Sequence, residues 1–414
     1  MPNTTEIKQC RLCGGPHFVK VLALAPTPVG DLYLPADKHP EALPAFPLDV
    51  YQCESCGHVQ LKHVVDPEYL YTDYIYTTGS SLGLADHFRR YAGNVCDKLK
   101  LPTGSLVFEM GSNDGTLLAA FKARGMKVIG IDPARDIAAQ ATRNGIPTLN
   151  AFFSRELAQR IREEHGPASV FIANNVMANV PDPAAILQGI LELLADDGVF
   201  IFETGYLRYL AEDCVFDNIY HEHIDYYSVK PLAAFFERFK VQLFDVEETA
   251  SKGSSIRGYV QRQTSTRAPS PQLNALLQRE AEMGYGTPAP YLRLSARLSE
   301  TKRQLRECLI DLRRQGKRVA GYGASVGVTT VLYYFDLKGL IDQLIDDNPV
   351  RQGLFSPGLA LPVVGPKILE GPDAPDAVVI LAWRYAGPIM EKNAGFRQRG
   401  GKFIQFLPQF EIST

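Results

Sequence analysis

Between residues 85 and 260, short apolar runs alternate with stretches whose apolar positions recur at helical spacing. The runs are LVFEMG, KVIGID, VFIANN and GVFIFET, and the first amphipathic stretch is TLLAAFKARG. Apolar runs of strand length that alternate with helices predict a parallel, doubly wound sheet. A polar segment rich in Ser and Pro (RQTSTRAPSPQ) follows, and charges at helical spacing from about 275 to 315 predict a long helical connector. Alternation then restarts with RVAGYGASVG, TTVLYYF, LIDQLIDDN, AVVILAW and KFIQFLP, which predicts a second α/β domain. The first 75 residues lack helical periodicity and carry only short β-like pieces (PLDVYQC, GHVQLKHVV). The expected organisation is a small module over 1–75, an α/β domain over 76–265, a helical connector over 266–315 and a Rossmann-like α/β domain over 316–414.

Composition narrows the functional classes. With 414 residues, 45% hydrophobic and 21% charged, each unit can bury a core of its own. A formal net charge of −3 supplies no basic field for a polyanion, so no nucleic-acid partner is expected. No apolar run approaches the ~20 residues of a membrane span, and the first ten residues lack a secretory pattern, so the reading is cytoplasmic with no membrane partner.

Of seven cysteines, four form two Cys-x-x-Cys-Gly knuckles: Cys10 and Cys13 before Gly14, and Cys53 and Cys56 before Gly57. Paired spacing of this kind predicts a closed four-thiolate zinc site, structural because it leaves no position for water or substrate. His17, His58 and His63 lie nearby as substitute ligands, but four thiolates suffice.

The strand ending at Glu109 runs into Gly111-Ser-Asn113-Asp-Gly115, a Gly-x-x-x-Gly turn that opens a helix. Such a turn lets a ligand approach the backbone at a helix N-terminus. The Gly-x-Gly-x-x-Gly spacing of a dinucleotide site is absent here. Asp132 ends the next strand, about twenty residues on, where a carboxylate can accept both ribose hydroxyls. Phe152 and Phe153 follow the third strand and can flank an adenine, and Asn174 and Asn175 end the fourth, facing the ligand's amino-acid tail. In this order the four signals resemble class I S-adenosylmethionine-dependent methyltransferases.

Residues 216–228 (FDNIYHEHIDYYS) are dense in titratable and aromatic groups. His221 and His223 would share a side of an extended strand, which leaves a metal site or a purely structural network open beside a catalytic role. The C-terminal loop GYGASVG, with Gly323, Ala324 and Ser325, follows a strand and opens a helix, which suits an anion, and Asp346, Asp347 and Asn348 end the next strand.

The two knuckles, GSNDG, the Tyr-His-Glu-His segment, SKGSSIRGYVQ and GYGAS…DDNP…QGLFSPG occur in one order along the chain. In this the sequence resembles the bacterial nucleotide-sugar C-methyltransferases of branched deoxysugar pathways, over nearly its whole length. The resemblance implies a zinc domain, a central class I methyltransferase domain and a C-terminal Rossmann-like domain. It implies S-adenosyl-L-methionine and zinc as cofactors, a nucleotide sugar as small-molecule partner, and methylation of carbon 3 of a 4-keto-6-deoxy sugar. His223 would be the base, Glu222 would orient or charge it, and Tyr220 would meet the enolate oxygen. Tyr76 would lie over the cofactor, and Gly323, Ala324, Ser325 and Asn348 would hold the nucleotide sugar. Where many relatives carry a Lys in the C-terminal glycine loop, this chain has Val326 and Gly327, and where some carry a His it has Asn179. O- or N-methylation of another small metabolite, and non-catalytic nucleotide-sugar binding, are the competing readings.

Overall fold

The computed structural model describes residues 4–71, 84–249 and 255–413. The N-terminal module is built on short strands: β1 (Thr4–Glu6), β2 (Phe18–Leu22), β3 (Val50–Cys53), β4 (Val59–Leu61) and β5 (His63–Val65). Strands this short bury little surface, so the module needs a staple; one knuckle precedes β2 and the other forms the turn between β3 and β4. β1 pairs antiparallel with β5.

After the helices α1 (Pro67–Tyr71) and α2 (Leu84–Leu99), the central domain follows the expected alternation. Its strands are β6 (Leu106–Met110), β7 (Lys127–Ile131), β8 (Thr148–Leu149), β9 (Ala168–Asn174) and β10 (Leu194–Gly205). Between them lie α3 (Thr116–Lys122), α4 (Arg135–Arg143), α5 (Arg155–His165) and α6 (Pro183–Leu193). α7 (Leu207–Asp213), β11 (Asp225–Tyr226), α8 (Val229–Glu237), β12 (Val241–Thr249) and β13 (Ser255–Arg262) complete it. The sheet order is β12-β13-β10-β9-β6-β7-β8, with β6 to β10 parallel and β12 and β13 closing one edge antiparallel. Strand order reverses between β6 and β9, and in open α/β sheets ligands bind at that crevice, beyond the carboxyl ends of the strands.

β11 leaves this domain altogether. It pairs with β4, which makes the zinc module's sheet four-stranded in the order β11-β4-β3-β2. The segment that carries Tyr220 and His223 is therefore strung between two domains.

The helical run expected as one connector is divided at Gly284, which caps α9 (Pro271–Met283) in a left-handed conformation before α10 (Ala289–Arg314) begins. The two helices serve different cores. Leu273 and Leu276 of α9 pack into the central domain, and its Glu280 accepts the Val229 and Lys230 amides at the start of α8 (2.6 and 3.0 Å). The apolar face of α10 (Leu294, Leu298, Leu305, Leu309) joins a core shared with β2 to β4, α7 and the C-terminal domain.

That last domain contains β14 (Val319–Tyr322), α11 (Val326–Tyr334), β15 (Gln343–Ile345), β16 (Val363–Val364), β17 (Ala377–Ile380), β18 (Lys402–Gln405) and β19 (Glu411–Ser413). Its order, β16-β15-β14-β17-β18-β19, is parallel except for β19, as expected for a Rossmann-like unit. Among the described residues, no helix is long and apolar enough to cross a membrane.

Candidate active site and zinc centre

The four knuckle cysteines converge, with all four Sγ atoms within 4.8 Å of one another. The Cys10–Cys56 and Cys13–Cys53 sulfurs stand 3.7 and 3.6 Å apart. Four thiolates at tetrahedral Zn–S bonds of about 2.3 Å would be separated by about 3.8 Å, so the set fits zinc as it stands. Gly14 and Gly57 take φ +78° and +80°, which turns their amides back onto the Cys10 and Cys53 carbonyls. Among the described residues no histidine joins this cluster. His58 is instead committed to Asp225, with Nε2 2.7 Å from Oδ1.

At the carboxyl ends of β6, β7 and β9 lies a cavity of about 260 Å³. It is lined by Glu109, Gly111, Asn113, Asp132, Phe152, Phe153, Asn174 and Asn175, so eight sequence-predicted residues meet in one place. Gly111 has φ +69°, and a Cβ there would lie 2.4 Å from Val176, so only glycine makes this turn. Asp132 is fixed at the rim because its two oxygens accept the Asn113 and Ala134 amides, each at 2.9 Å. Burial pushes the Asp132 carboxyl up while those amides pull it down. Burial also pushes Glu109 well above the carboxylate range, reinforced by Asp132 and Asp114, and its Oε2 has no partner among the described residues. Two carboxyl groups lining one cavity suit a ligand that carries positive charge. The two phenylalanines diverge in role: Phe152 is half exposed at the rim, whereas Phe153 packs into the core against Phe108 and Phe171 and offers the cavity only part of its ring. Tyr76, expected over this site, lies outside the described residues.

Asn175 and Asn179 also line a second cavity of about 600 Å³, which opens between the central domain, the zinc module and the C-terminal domain. Tyr220, Glu222 and His223 face it from the β10–β11 connection, and Ala324, Ser325 and Asn348 from the C-terminal domain. The 219–224 segment is a turn rather than the extended strand expected, so His221 and His223 diverge. His221 is buried, with Nε2 3.3 Å from the Phe46 carbonyl, and burial lowers it to about 4. This excludes it from a metal pair with His223.

His223 Nδ1 lies 3.0 Å from the Asn218 carbonyl. A carbonyl only accepts, so Nδ1 carries the proton and Nε2 presents a basic lone pair, to which the Tyr220 hydroxyl donates at 2.9 Å. Both ring nitrogens are thus held by groups other than Glu222, which corrects the expectation that Glu222 orients the imidazole. Glu222 is fully buried, and burial, with Asp31 nearby, pushes it up to about 7; its Oε2 has no partner among the described residues. Near neutral pH it can therefore hold or release a proton.

At the far wall, Gly323 takes φ +124° and serves the turn out of β14 without lining the cavity, which corrects its expected contact. Ala324, Ser325 and Val326 bring the start of α11 to the wall. Gly327 lets α11 approach the 216–218 turn, since a Cβ there would meet the Asp217 carbonyl oxygen at 2.2 Å. Sequence reasoning missed Arg351, the one Lys or Arg among the described residues lining this cavity; it pairs with Asp31 of the zinc module and stacks over Tyr33 at 4.7 Å. Its position three residues past Asn348 was the available signal.

Fold and site together define an S-adenosylmethionine-dependent methyltransferase of class I with an N-terminal zinc-binding domain. Residues 10–71 match a zinc binding domain family, 84–243 the methyltransferase domain and 250–408 the C-methyltransferase C-terminal domain. The chain is 31% identical over 404 residues to the C-methyltransferase NovU of Streptomyces niveus, spanning 97% of this chain and 96% of that one. It belongs to the C-methyltransferase family. Among solved structures it is similar to a S-adenosylmethionine-dependent methyltransferase from Clostridium acetobutylicum (13% identity, 43% of this chain and 92% of that one, TM-score 0.35). It is also similar to magnesium protoporphyrin IX methyltransferase from Synechocystis with bound SAM (14% identity, 47% and 88%, TM-score 0.33).

Proposed function

We propose that this C-methyltransferase acts on carbon 3 of a nucleoside-diphosphate 4-keto-6-deoxy sugar, through an enolate. The observation that carries this reading is the Tyr220–His223 pair, which faces the second cavity with Nε2 unprotonated while the first cavity adjoins through Asn175 and Asn179. A carbon has to be made nucleophilic before it can be methylated, and a C–H beside a ketone is acidic enough for an imidazole to remove its proton.

The first cavity would hold S-adenosylmethionine, with Asp132 on the ribose hydroxyls, Phe152 and Phe153 by the adenine, and Glu109, Gly111, Asn113, Asn174 and Asn175 around the amino-acid end. When bound, the cofactor supplies an electrophilic methyl group to a carbon nucleophile. His223 Nε2 takes the proton from carbon 3, and the Asn218 carbonyl steadies the imidazolium through Nδ1–H. The C–H electron pair moves into the ring and its negative charge collects on the keto oxygen. Tyr220, released from Nε2 as the acceptor enters, donates to that oxygen. Glu222 in its neutral form donates a hydrogen bond to a sugar oxygen. Ala324, Ser325, Asn348 and the start of α11 would receive the diphosphate, and Arg351 would exchange Asp31 for phosphate oxygens.

The test uses a panel of 4-keto nucleotide sugars deuterated at carbon 3, with mass spectrometry of the products. The reading requires a gain of one methyl group and loss of that deuterium. Methylation at oxygen or nitrogen with the deuterium retained would overturn it.

A further inference from the structure

Asn174 ends β9 at the floor of the first cavity, where β9 runs in parallel register beside β10 and Asn174 pairs with Glu203. Its side-chain oxygen accepts the Glu203 amide at 3.0 Å. A backbone N–H can only donate, so the atom facing it must be Oδ1, and the orientation of the amide is settled. The Tyr91 hydroxyl donates to the same Oδ1 at 3.3 Å. Tyr91 comes from α2 and is buried, with the Arg257 guanidinium over its ring at 3.7 Å. Arg257 is itself held on Glu203 by a 2.6 Å bond. With Oδ1 saturated on the protein side, Nδ2 is left with no partner among the described residues, although Asn174 is only 8% exposed. A buried N–H pair without an acceptor costs stability and is kept where a ligand completes it.

The lining of this cavity specifies what that ligand group is. It contains the carboxyl groups of Glu109 and Asp132 and, among the described residues, no Lys, Arg or His. The carboxylate at the end of an amino-acid tail would then be held by neutral donors; among the described residues lining the cavity, Asn174 Nδ2 and Ser112 Oγ are buried donors without a partner, and of these Asn174 is the one whose orientation is fixed by two hydrogen bonds. We infer that Asn174 donates to the cofactor's terminal carboxylate and that Tyr91, which never touches the cofactor, is a positioning residue locking the amide in the donating orientation. The inference rests on assigning the first cavity to S-adenosylmethionine.

Calorimetry with S-adenosylhomocysteine and with 5′-methylthioadenosine, which lacks the amino-acid tail, separates the two claims. Asn174→Asp puts an acceptor-only group against the tail and should weaken S-adenosylhomocysteine roughly tenfold to a hundredfold, the scale of a charged hydrogen bond. Tyr91→Phe removes one of two anchors and should weaken it about threefold to tenfold. Both variants should bind 5′-methylthioadenosine as the unaltered protein does, which also reports an intact fold. Equal losses for both ligands, or no loss for either, would overturn the inference. If the unaltered protein binds neither ligand, the assignment of the cavity falls and the inference with it. If Asn174→Asp does not fold, Tyr91→Phe alone decides.

Discussion

His58 and Asp225 meet at 2.7 Å with both side chains wholly buried, and Arg11, inside the first zinc knuckle, reaches the same carboxylate oxygen at 3.4 Å. His58 stands two residues after Cys56 and Asp225 two residues after His223. Arg11 also donates to the Leu61 and Ile224 carbonyls (2.8 and 3.3 Å), and the Leu61 amide donates to Ile224. The knuckles therefore hold one end of the turn that presents Tyr220 and His223. Stripping the metal should release one zinc per chain, lower the melting temperature and abolish turnover, because β11 loses the sheet it pairs with. Metal analysis and thermal melts check this; an unchanged melt after complete removal would contradict it.

Asp132 is expected to carry much of the ribose recognition. Asp132→Ala should weaken cofactor binding by roughly 1.5–3 kcal/mol, the scale of a charged hydrogen bond. It also frees the Asn113 and Ala134 amides, so calorimetry on Asp132→Asn, which keeps an acceptor, should show a smaller loss. Unchanged affinity in both variants would remove Asp132 from the site.

His223→Asn should retain cofactor and acceptor binding while turnover falls on the order of 10²–10⁴, the usual contribution of a general base. Deuterium exchange at carbon 3, followed with S-adenosylhomocysteine in place of the methyl donor, isolates proton removal. Exchange as fast in the variant as in the native protein would place the base elsewhere. Tyr220→Phe should slow exchange and methylation together.

Glu222 makes stability depend on pH. Its folded value of about 7 lies above the ordinary 4.5, so between these limits the folded state binds more protons than the unfolded one. Stability is greatest below the ordinary value and is lost as pH rises through 7. Glu222→Gln keeps the shape without the charge, and its stability relative to the native protein should improve by up to about 3 kcal/mol between pH 4.5 and 8. Denaturant melts at both pH values check the difference; parallel changes in the two proteins would count against a buried acid.

Arg351→Ala should raise KM for the nucleotide sugar about tenfold or more with little change in kcat, since a phosphate contact is held equally in ground and transition states. A fall in kcat at unchanged KM would place Arg351 at the chemistry instead.

Much of this protein was determined by local pattern. Strand–helix alternation marked both sheets, and the paired Cys-x-x-Cys-Gly spacing marked the zinc cluster, because a knuckle is a short-range object. That Asp132 and the Gly111 turn meet at one cavity was legible because successive parallel strands bring their carboxyl ends to the same edge of the sheet. The tertiary structure decided what depends on groups distant in sequence. Tyr220 rather than Glu222 meets His223 Nε2, since the 219–224 turn brings Tyr220 and His223 to one cavity and sends His221 to the Phe46 carbonyl of the zinc module. Asn218 orients the imidazole through its backbone carbonyl, which every residue type possesses and no pattern distinguishes. Arg351 enters the second cavity because Asp31, 320 residues earlier, faces it, and the amide of Asn174 is fixed by a tyrosine 83 residues before it. Contacts of this kind leave no periodicity, so only the assembled core brings them together.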